Sequence, residues 1–330
     1  MRSSCSRKIY SKRAERFASD GGGIMELLEI YSDCVLVRTF ERRVEKEFEL
    51  GRFRGTTHGC IGQEIIPVLA MQYVDREKDW VTGTHRCHGQ VLAYTHDPYR
   101  LACEMMGRED GFNCGMGGSQ HIKTGQYITN GVTGGMASVG VGMALYMKKN
   151  GGGMVVSFLG DGGFQEGYVG ETMNLAGVFA APILYILENN HYAMSTPTAR
   201  YSAGSPEART KAVGIRYFHG DVRDIKGLDA TIRDAFSYVR ENSAPAMLEV
   251  DTFRLCGHSK SDDRSYMTEQ EKAGYINDDP VAALRQMISA EDADIADRSA
   301  LSRIDGAFLK ASECGEINMT EYRNKLAQGE

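Results

Sequence analysis

Two short segments present oxygen ligands where strands would end. Asp161 lies among glycines in GDGGFQEG, directly after the apolar run MVVSFL, and Asn189-Asn190 closes a second run, ILYILE. Each run has the length of a buried strand, and the stretch between them reads as a helix. Both ends of such a unit fall on one edge of a parallel sheet, outside the carboxyl ends of its strands, where open α/β sheets bind ligands. A carboxylate and an amide oxygen suit a hard cation. They are too few for octahedral Mg2+, which completes its shell with water and phosphate oxygens. The pair therefore points to a metal-bound diphosphate. No GxxxxGK[ST] loop occurs in the chain, which argues against a P-loop nucleotide hydrolase. Taken singly, each signal has a plainer reading: an aspartate after a strand usually caps a helix, and Asn-Asn usually makes a turn. The ensemble of strand, GDG, helix, Pro182, strand, NN and Tyr192 carries the ligand.

The elements that must position these residues are legible in outline. From Ile24 to Leu50 apolar residues recur at helical spacing, with Gly51 as C-cap. A loop, RFRGTTHGCIGQE, leads into a second helix, and KDWVTGTHRCHG places a short strand before a loop bearing His85, Arg86 and His88. The segments GFNCGMGGSQH and NGVTGGMASVGVG hold too many glycines for continuous regular structure and read as ligand-approaching loops. A helix is expected over 137–149, strands over 154–159 and 246–255, and an amphipathic helix over LDATIRDAFSYVREN. GHSKSDDRSY reads as a polar, mobile loop, and the chain beyond Pro280 as charged surface helices. Strands alternating with helices give an α/β fold: a mostly parallel sheet flanked by helices. Residues 24–330 then form one diphosphate-binding domain with a C-terminal helical extension, preceded by a basic arm over 1–23.

Bulk properties narrow the function classes. The chain has 330 residues and a net charge of −6, so it lacks the basic footprint of a nucleic-acid binder. No apolar run reaches membrane-spanning length. Eight cysteines without a CxxC pair read as free thiols in a reducing compartment, not a disulfide framework or zinc site. That compartment is the cytoplasm. The arm, basic, serine-bearing and acid-poor, also has the composition of a mitochondrial transit peptide, which would place the protein in the matrix.

The series THGCIGQE, GTHRCHG, GMGGSQH, NGVTGG, GDGGFQEG, ENNHYAMST and GHSKSDDRSY resembles, in order, the alpha subunit of the thiamine diphosphate-dependent decarboxylating component of 2-oxo acid dehydrogenase complexes. The likeness runs from about residue 25 to at least 280. It implies Mg2+ ligation by Asp161, Asn190 and the backbone carbonyl of Tyr192, and a diphosphate clamp at Arg86 with His85 beside it. It also implies that Gly131, Thr133, Gly162 and Gly163 line the cofactor, and that His58, His121 and His258 are active-site histidines. A beta subunit would supply the pyrimidine-binding half, in an assembly of two alpha and two beta chains, and the acyl unit would pass to a lipoyl acyltransferase. Departures concern the substrate. His85 stands where pyruvate-specific members usually carry tyrosine and is more like acetoin-cleaving members. Cys256 and Thr133 also replace usual residues, whereas HSKSD is pyruvate-like. Two further functions stay open: a two-subunit carboligase that delivers a two-carbon unit to a biosynthetic carbonyl acceptor, and a non-catalytic scaffold subunit.

Overall fold

The computed structural model describes residues 24–53, 55–320, 322 and 323; the segment 1–23, read as an arm, lies outside them. The long helix α1 (Ile24–Glu49) ends as its sequence predicts, with Gly51 at a left-handed φ of 69° and the Gly51 and Arg52 N–H groups folded back onto the Phe48 and Glu47 carbonyls. Next come α2 (Ile65–Ala70), strand β1 (Trp80–Gly83), α3 (His88–Thr95) and α4 (Pro98–Met105). Two short strands follow, β2 (Lys123–Thr124) and β3 (Tyr127–Thr129), then α5 (Gly135–Asn150) and β4 (Val155–Gly160). Helix α6 (Gly167–Phe179) connects to β5 (Ile183–Asn189). A small hairpin, β6 (Tyr192–Ala193) and β7 (Thr196–Pro197), precedes α7 (Pro206–Ala212), β8 (Arg216–Asp221), α8 (Ile225–Asn242) and β9 (Ala246–Asp251). Helices α9 (Glu269–Asn277), α10 (Pro280–Gln286) and α11 (Ala290–Glu313) complete the fold.

One seven-stranded sheet, in the order β2-β3-β1-β4-β5-β9-β8, organises the molecule, and every pairing is parallel except β2 with β3. The α/β expectation therefore holds. The central strands are buried on both faces, so they read as continuous apolar runs, and alternate side chains enter different cores. Val156, Phe158, Leu184 and Ile186 pack with α1, α2, α3 and α8 on one side. Val155, Leu159, Ile183, Tyr185 and Leu187 pack with α5 and α6 on the other. In register, Gly160 lies opposite Glu188, so Asp161 and Asn190 emerge together just past the paired ends of β4 and β5.

Some expectations need correction. Strands β2, β3 and β8 had no sequence signal: two of them span only two or three residues, and RYFHGD alternates neither cleanly nor with enough apolar residues. The C-terminal helices are more than charged surface. Helix α11 buries Ala293, Ala300, Ile304, Phe308 and Ala311 and packs along α1 and α4. Its inward stripe is largely alanine, which a hydrophobicity reading underweights. The polar loop 257–266 is internally bonded: Asp262 accepts from the His258 and Arg264 N–H groups and from the Tyr266 hydroxyl. The Lys260 N–H reaches the Thr57 carbonyl at 3.3 Å.

Candidate functional site

The chain leaves β1 toward β3 on one side of the sheet and later places β4 on the other. The topological switch point therefore falls between β1 and β4, and there a crevice opens outside the carboxyl ends of the strands. A cavity of about 390 Å3 occupies it. The end of β1 supplies Thr84, His85 and Arg86, the segment after β3 supplies Gly131–Gly134, and β4 supplies Asp161–Gly163. Close approach of the last two segments requires glycine. Gly134 has φ of 73°, and a Cβ there would lie 2.9 Å from Val169 Cγ2 and 3.0 Å from the Gly163 carbonyl oxygen.

At one end of the cavity the donors are oxygens. Asp161 and Asn190 are 6% and 7% exposed. The Asp161 carboxylate accepts hydrogen bonds from two neutral hydroxyls, Tyr201 at 2.7 Å and Thr198 at 3.4 Å. No ion pair to Asp161 occurs among the described residues. A buried carboxylate without an ion-pair partner among the described residues, beside an amide whose oxygen accepts from the Tyr192 N–H at 3.3 Å, has the chemistry of a cation site. Asn189, by contrast, turns away and donates to Glu249 at 2.7 Å. Only the second asparagine of the pair faces the cavity.

At the other end three imidazoles meet. Ring centroids are 4.6 Å apart for His58 and His85, 5.0 Å for His58 and His258, and 5.8 Å for His85 and His258. The loop carrying His58 is fastened to α1 from below. Glu41 accepts from the Cys60 N–H at 2.9 Å, and Glu64, buried and ion-paired with Arg38, accepts from the Gly62 N–H at 2.8 Å. Gly62 has φ of 102°, and a side chain there would strike the Phe253 carbonyl. Arg86 ties the two neighbouring segments together by donating to the carbonyls of Gly59 and His258. Burial, with the positive charge of the neighbouring rings and Arg86, pushes His58 down to about 2. Burial and Arg86 likewise bring His85 to about 3, with His258 and Arg254 adding to the effect, and burial with Arg86 and Arg254 brings His258 to about 4. All three rings are neutral at pH 7.

The cavity gathers eleven of the twelve residues singled out from sequence: His58, His85, Arg86, Gly131, Thr133, Asp161, Gly162, Gly163, Asn190, Tyr192 and His258. His121 is exposed and lines an adjacent cavity of about 520 Å3, where its Nε2 accepts from the Gly131 N–H at 3.3 Å. It steadies a cavity wall without forming it. Sequence reasoning missed Gln63, Gln120 and above all Glu188. Glu188 is buried, and desolvation pushes its carboxyl up to about 8, against Arg86 and a 3.4 Å hydrogen bond from Gln90. At neutral pH it is a proton donor. The available signal was a lone carboxylate ending an otherwise apolar strand.

Comparison with known proteins agrees with this architecture. Residues 32–320 match the family described as dehydrogenase E1 component. The chain is 33% identical over 268 residues to the pyruvate dehydrogenase E1 component subunit alpha of Rickettsia bellii, covering 80% of this chain and 82% of that one. It is 34% identical over 277 residues to the protein of the same name from Rhizobium meliloti, covering 81% and 79%. A mitochondrial relative of that name from Chaetomium thermophilum is 32% identical over 267 residues, covering 80% and 64%.

Proposed function

Because the chain belongs to the dehydrogenase E1 component family, we propose that it is the alpha subunit of a thiamine diphosphate- and Mg2+-dependent enzyme that cleaves a pyruvate-like 2-oxo acid or acetoin. The observation that carries this reading is the buried Asp161–Asn190 pair, without an ion-pair partner among the described residues, facing a cavity at the switch point of the sheet. Asp161, Asn190 and the Tyr192 carbonyl would hold Mg2+. Gly131, Thr133, Gly162 and Gly163 would line the diphosphate, with Arg86 donating to its oxygens in the planar geometry that phosphate favours. When bound, the thiamine ring supplies the carbon nucleophile and the electron sink for carbon–carbon cleavage.

The chain's own residues orient the substrate and manage protons. His58 and His258, neutral at pH 7, can accept or donate a hydrogen bond to the substrate carboxylate and carbonyl. His85 packs edge-on against His58 and restricts the space left for the substrate. The acyl or aldehyde unit passes to an acceptor, for which we favour a lipoyl acyltransferase.

This chain contributes one diphosphate-binding sheet, so the pyrimidine-binding half comes from a beta subunit. The helices behind the glycine loops support that partnership. Val139 and Tyr146 on α5 and Leu175, Val178 and Phe179 on α6 are exposed apolar residues on neighbouring helices. No helix among the described residues is long and apolar enough to cross a membrane. The free thiols fit a reducing compartment, the cytoplasm or the mitochondrial matrix.

Purification with and without the co-expressed beta partner tests the reading. Decarboxylation of 2-oxo acids should appear only with both chains, thiamine diphosphate and Mg2+ present. Robust turnover by this chain alone would overturn the two-chain active site.

A further inference from the structure

Behind the histidine end of the cavity runs a buried polar chain. Glu41 projects from α1, and its carboxylate accepts hydrogen bonds from the Cys60 N–H at 2.9 Å and the Cys60 thiol at 3.0 Å. His88 opens α3, with Nδ1 at 3.1 Å from both Glu41 oxygens and Nε2 at 2.8 Å from Ser119 Oγ. Glu41 and His88 are 1% and 0% exposed, Cys60 and Ser119 4% and 7%, and none of the four lines the cavity of about 390 Å3. Burial opposes a charge on Glu41, yet His88 and Cys60 together hold its carboxyl below the ordinary value.

We propose that Glu41 is a positioning residue for the reaction: through Cys60, His88 and Ser119 it sets three cavity loops on one helix. Cys60 lies just past His58, His88 just past His85 and Arg86, and Ser119 just before Gln120. Each partner is thus anchored beside a different loop, and each loop carries a side chain of the cavity lining. Two of these loops meet again on the cavity side, where Gln120 Nε2 lies 3.3 Å from His58 Nδ1. Glu41 touches none of the reacting groups and acts on them only through the loops.

A buried carboxylate is costly, and an apolar side chain would fill the same space with less penalty. What the carboxylate adds is direction. Its two oxygens fix a proton on His88 Nδ1, which aims Nε2 at Ser119, and the completed network leaves the loops one arrangement. The third loop has other ties as well. Cys87 Sγ donates to the Ser119 carbonyl at 3.2 Å, and Thr129 Oγ1 donates to the Gln120 carbonyl at 2.6 Å. Loss of the Ser119 hydroxyl therefore disturbs less than loss of Glu41.

The inference deepens the function proposed above, and its test separates the two. Glu41→Leu, Glu41→Gln and Ser119→Ala chains are assembled with the beta partner, and kinetics are measured beside hydrogen exchange by mass spectrometry. With the 2-oxo acid or acetoin that the wild-type assembly turns over, Glu41→Leu should lower kcat about a hundredfold, the scale of a small displacement of reacting groups. Thiamine diphosphate affinity should change far less. Exchange in 56–62 and 113–121 should rise about tenfold, as loss of a buried hydrogen bond promotes local opening, while 155–163 stays unchanged. Glu41→Gln should restore wild-type exchange and most of the turnover. Its amide keeps an oxygen for the Cys60 N–H and offers an N–H to Nδ1, the ring changing tautomer to donate to Ser119. Ser119→Ala, the independent check should Glu41→Leu fail to fold, should raise exchange in 113–121 alone and lower kcat about tenfold. Unchanged exchange in 113–121 or full turnover in these folded variants overturns the positioning role, as does Glu41→Gln no better than Glu41→Leu. A wild-type assembly without turnover overturns the proposed function instead, and the exchange result then decides on Glu41 by itself.

Discussion

At one end of the cavity Asp161 and Asn190 stand just beyond adjacent parallel strands; at the other, His58, His85 and His258 stand on three loops distant in sequence. The oxygen end takes its geometry from sheet register, so a backbone ladder fixes the separation of its donors. The histidine end takes its geometry from cross-bracing: Glu41 and Glu64 hold the first loop, and Arg86 joins it to the third. Charge differs as well. A carboxylate with no ion-pair partner among the described residues stands at one end, and neutral rings among arginines stand at the other. The first arrangement suits a permanently held cation, the second a site that must accept and release anionic groups.

The largest separation between the ends should come from Asp161→Ala. It removes the only carboxylate of the proposed Mg2+ shell, so Mg2+-dependent thiamine diphosphate binding should fall beyond detection by calorimetry. The histidine end, braced independently, should keep its structure. Unchanged cofactor affinity in a folded Asp161→Ala protein would remove the metal assignment and with it the contrast.

His258→Ala probes the other end. Turnover of the assembled enzyme should drop by about a hundredfold, the scale of a lost acid–base or orienting group, while cofactor affinity changes little. Arg86 loses only its long contact to the ring, because its partner carbonyl at residue 258 survives the substitution. Melting temperature should therefore move much less than activity. Parallel loss of both would make His258 a packing residue and the two ends alike.

The contrast also explains what the sequence disclosed. The oxygen end was legible because both ligands terminate long apolar runs, and strand-end position is a local property. The same logic reached the helix cap at Gly51 and the parallel sheet. Convergence of His58, His85 and His258 was not local. Motif resemblance placed each of them near a cofactor, but their mutual contact depends on the Arg86 brace and on Gly62 letting its loop approach Phe253. Glu188 escaped for a further reason: a carboxylate's protonation state follows its burial, which no residue pattern states. His121 carried a family position but not a place in the cavity, since it reaches the site only through the Gly131 N–H. The short strands β2 and β3 exist through pairing with each other and with β1, a tertiary cause.

The smallest effect is a pH dependence of stability confined to the histidine end. In the unfolded chain these rings have the ordinary value of 6.5, whereas burial, the neighbouring rings and Arg86 hold His58 near 2, and burial with Arg86 and Arg254 holds His85 and His258 near 3 and 4, with Asp262 pulling His258 the other way. As pH falls below 6.5 the unfolded rings bind protons that the native rings refuse, so the histidine contribution to stability falls. Above about pH 7 both states are neutral and the contribution is flat. One such ring costs at most about 1.4 kcal/mol per pH unit. His85 and His258 are partly open to solvent, so the trio should amount to on the order of 1–2 kcal/mol between pH 6.5 and 5.5. Glu188 opposes them: with a value of about 8 it keeps its proton in the folded state, which offsets up to about 1.4 kcal/mol over the same window, so the histidine contribution is read from the difference between wild type and a variant rather than from the wild-type slope. Chemical denaturation at pH 7.0, 6.5, 6.0 and 5.5 measures the slope in both proteins, and His58→Gln should raise stability at pH 5.5 relative to pH 6.5, compared with wild type, by removing the most strongly depressed ring. A His58→Gln protein with the wild-type slope would mean that His58 titrates normally and that the histidine end is no drier than the surface.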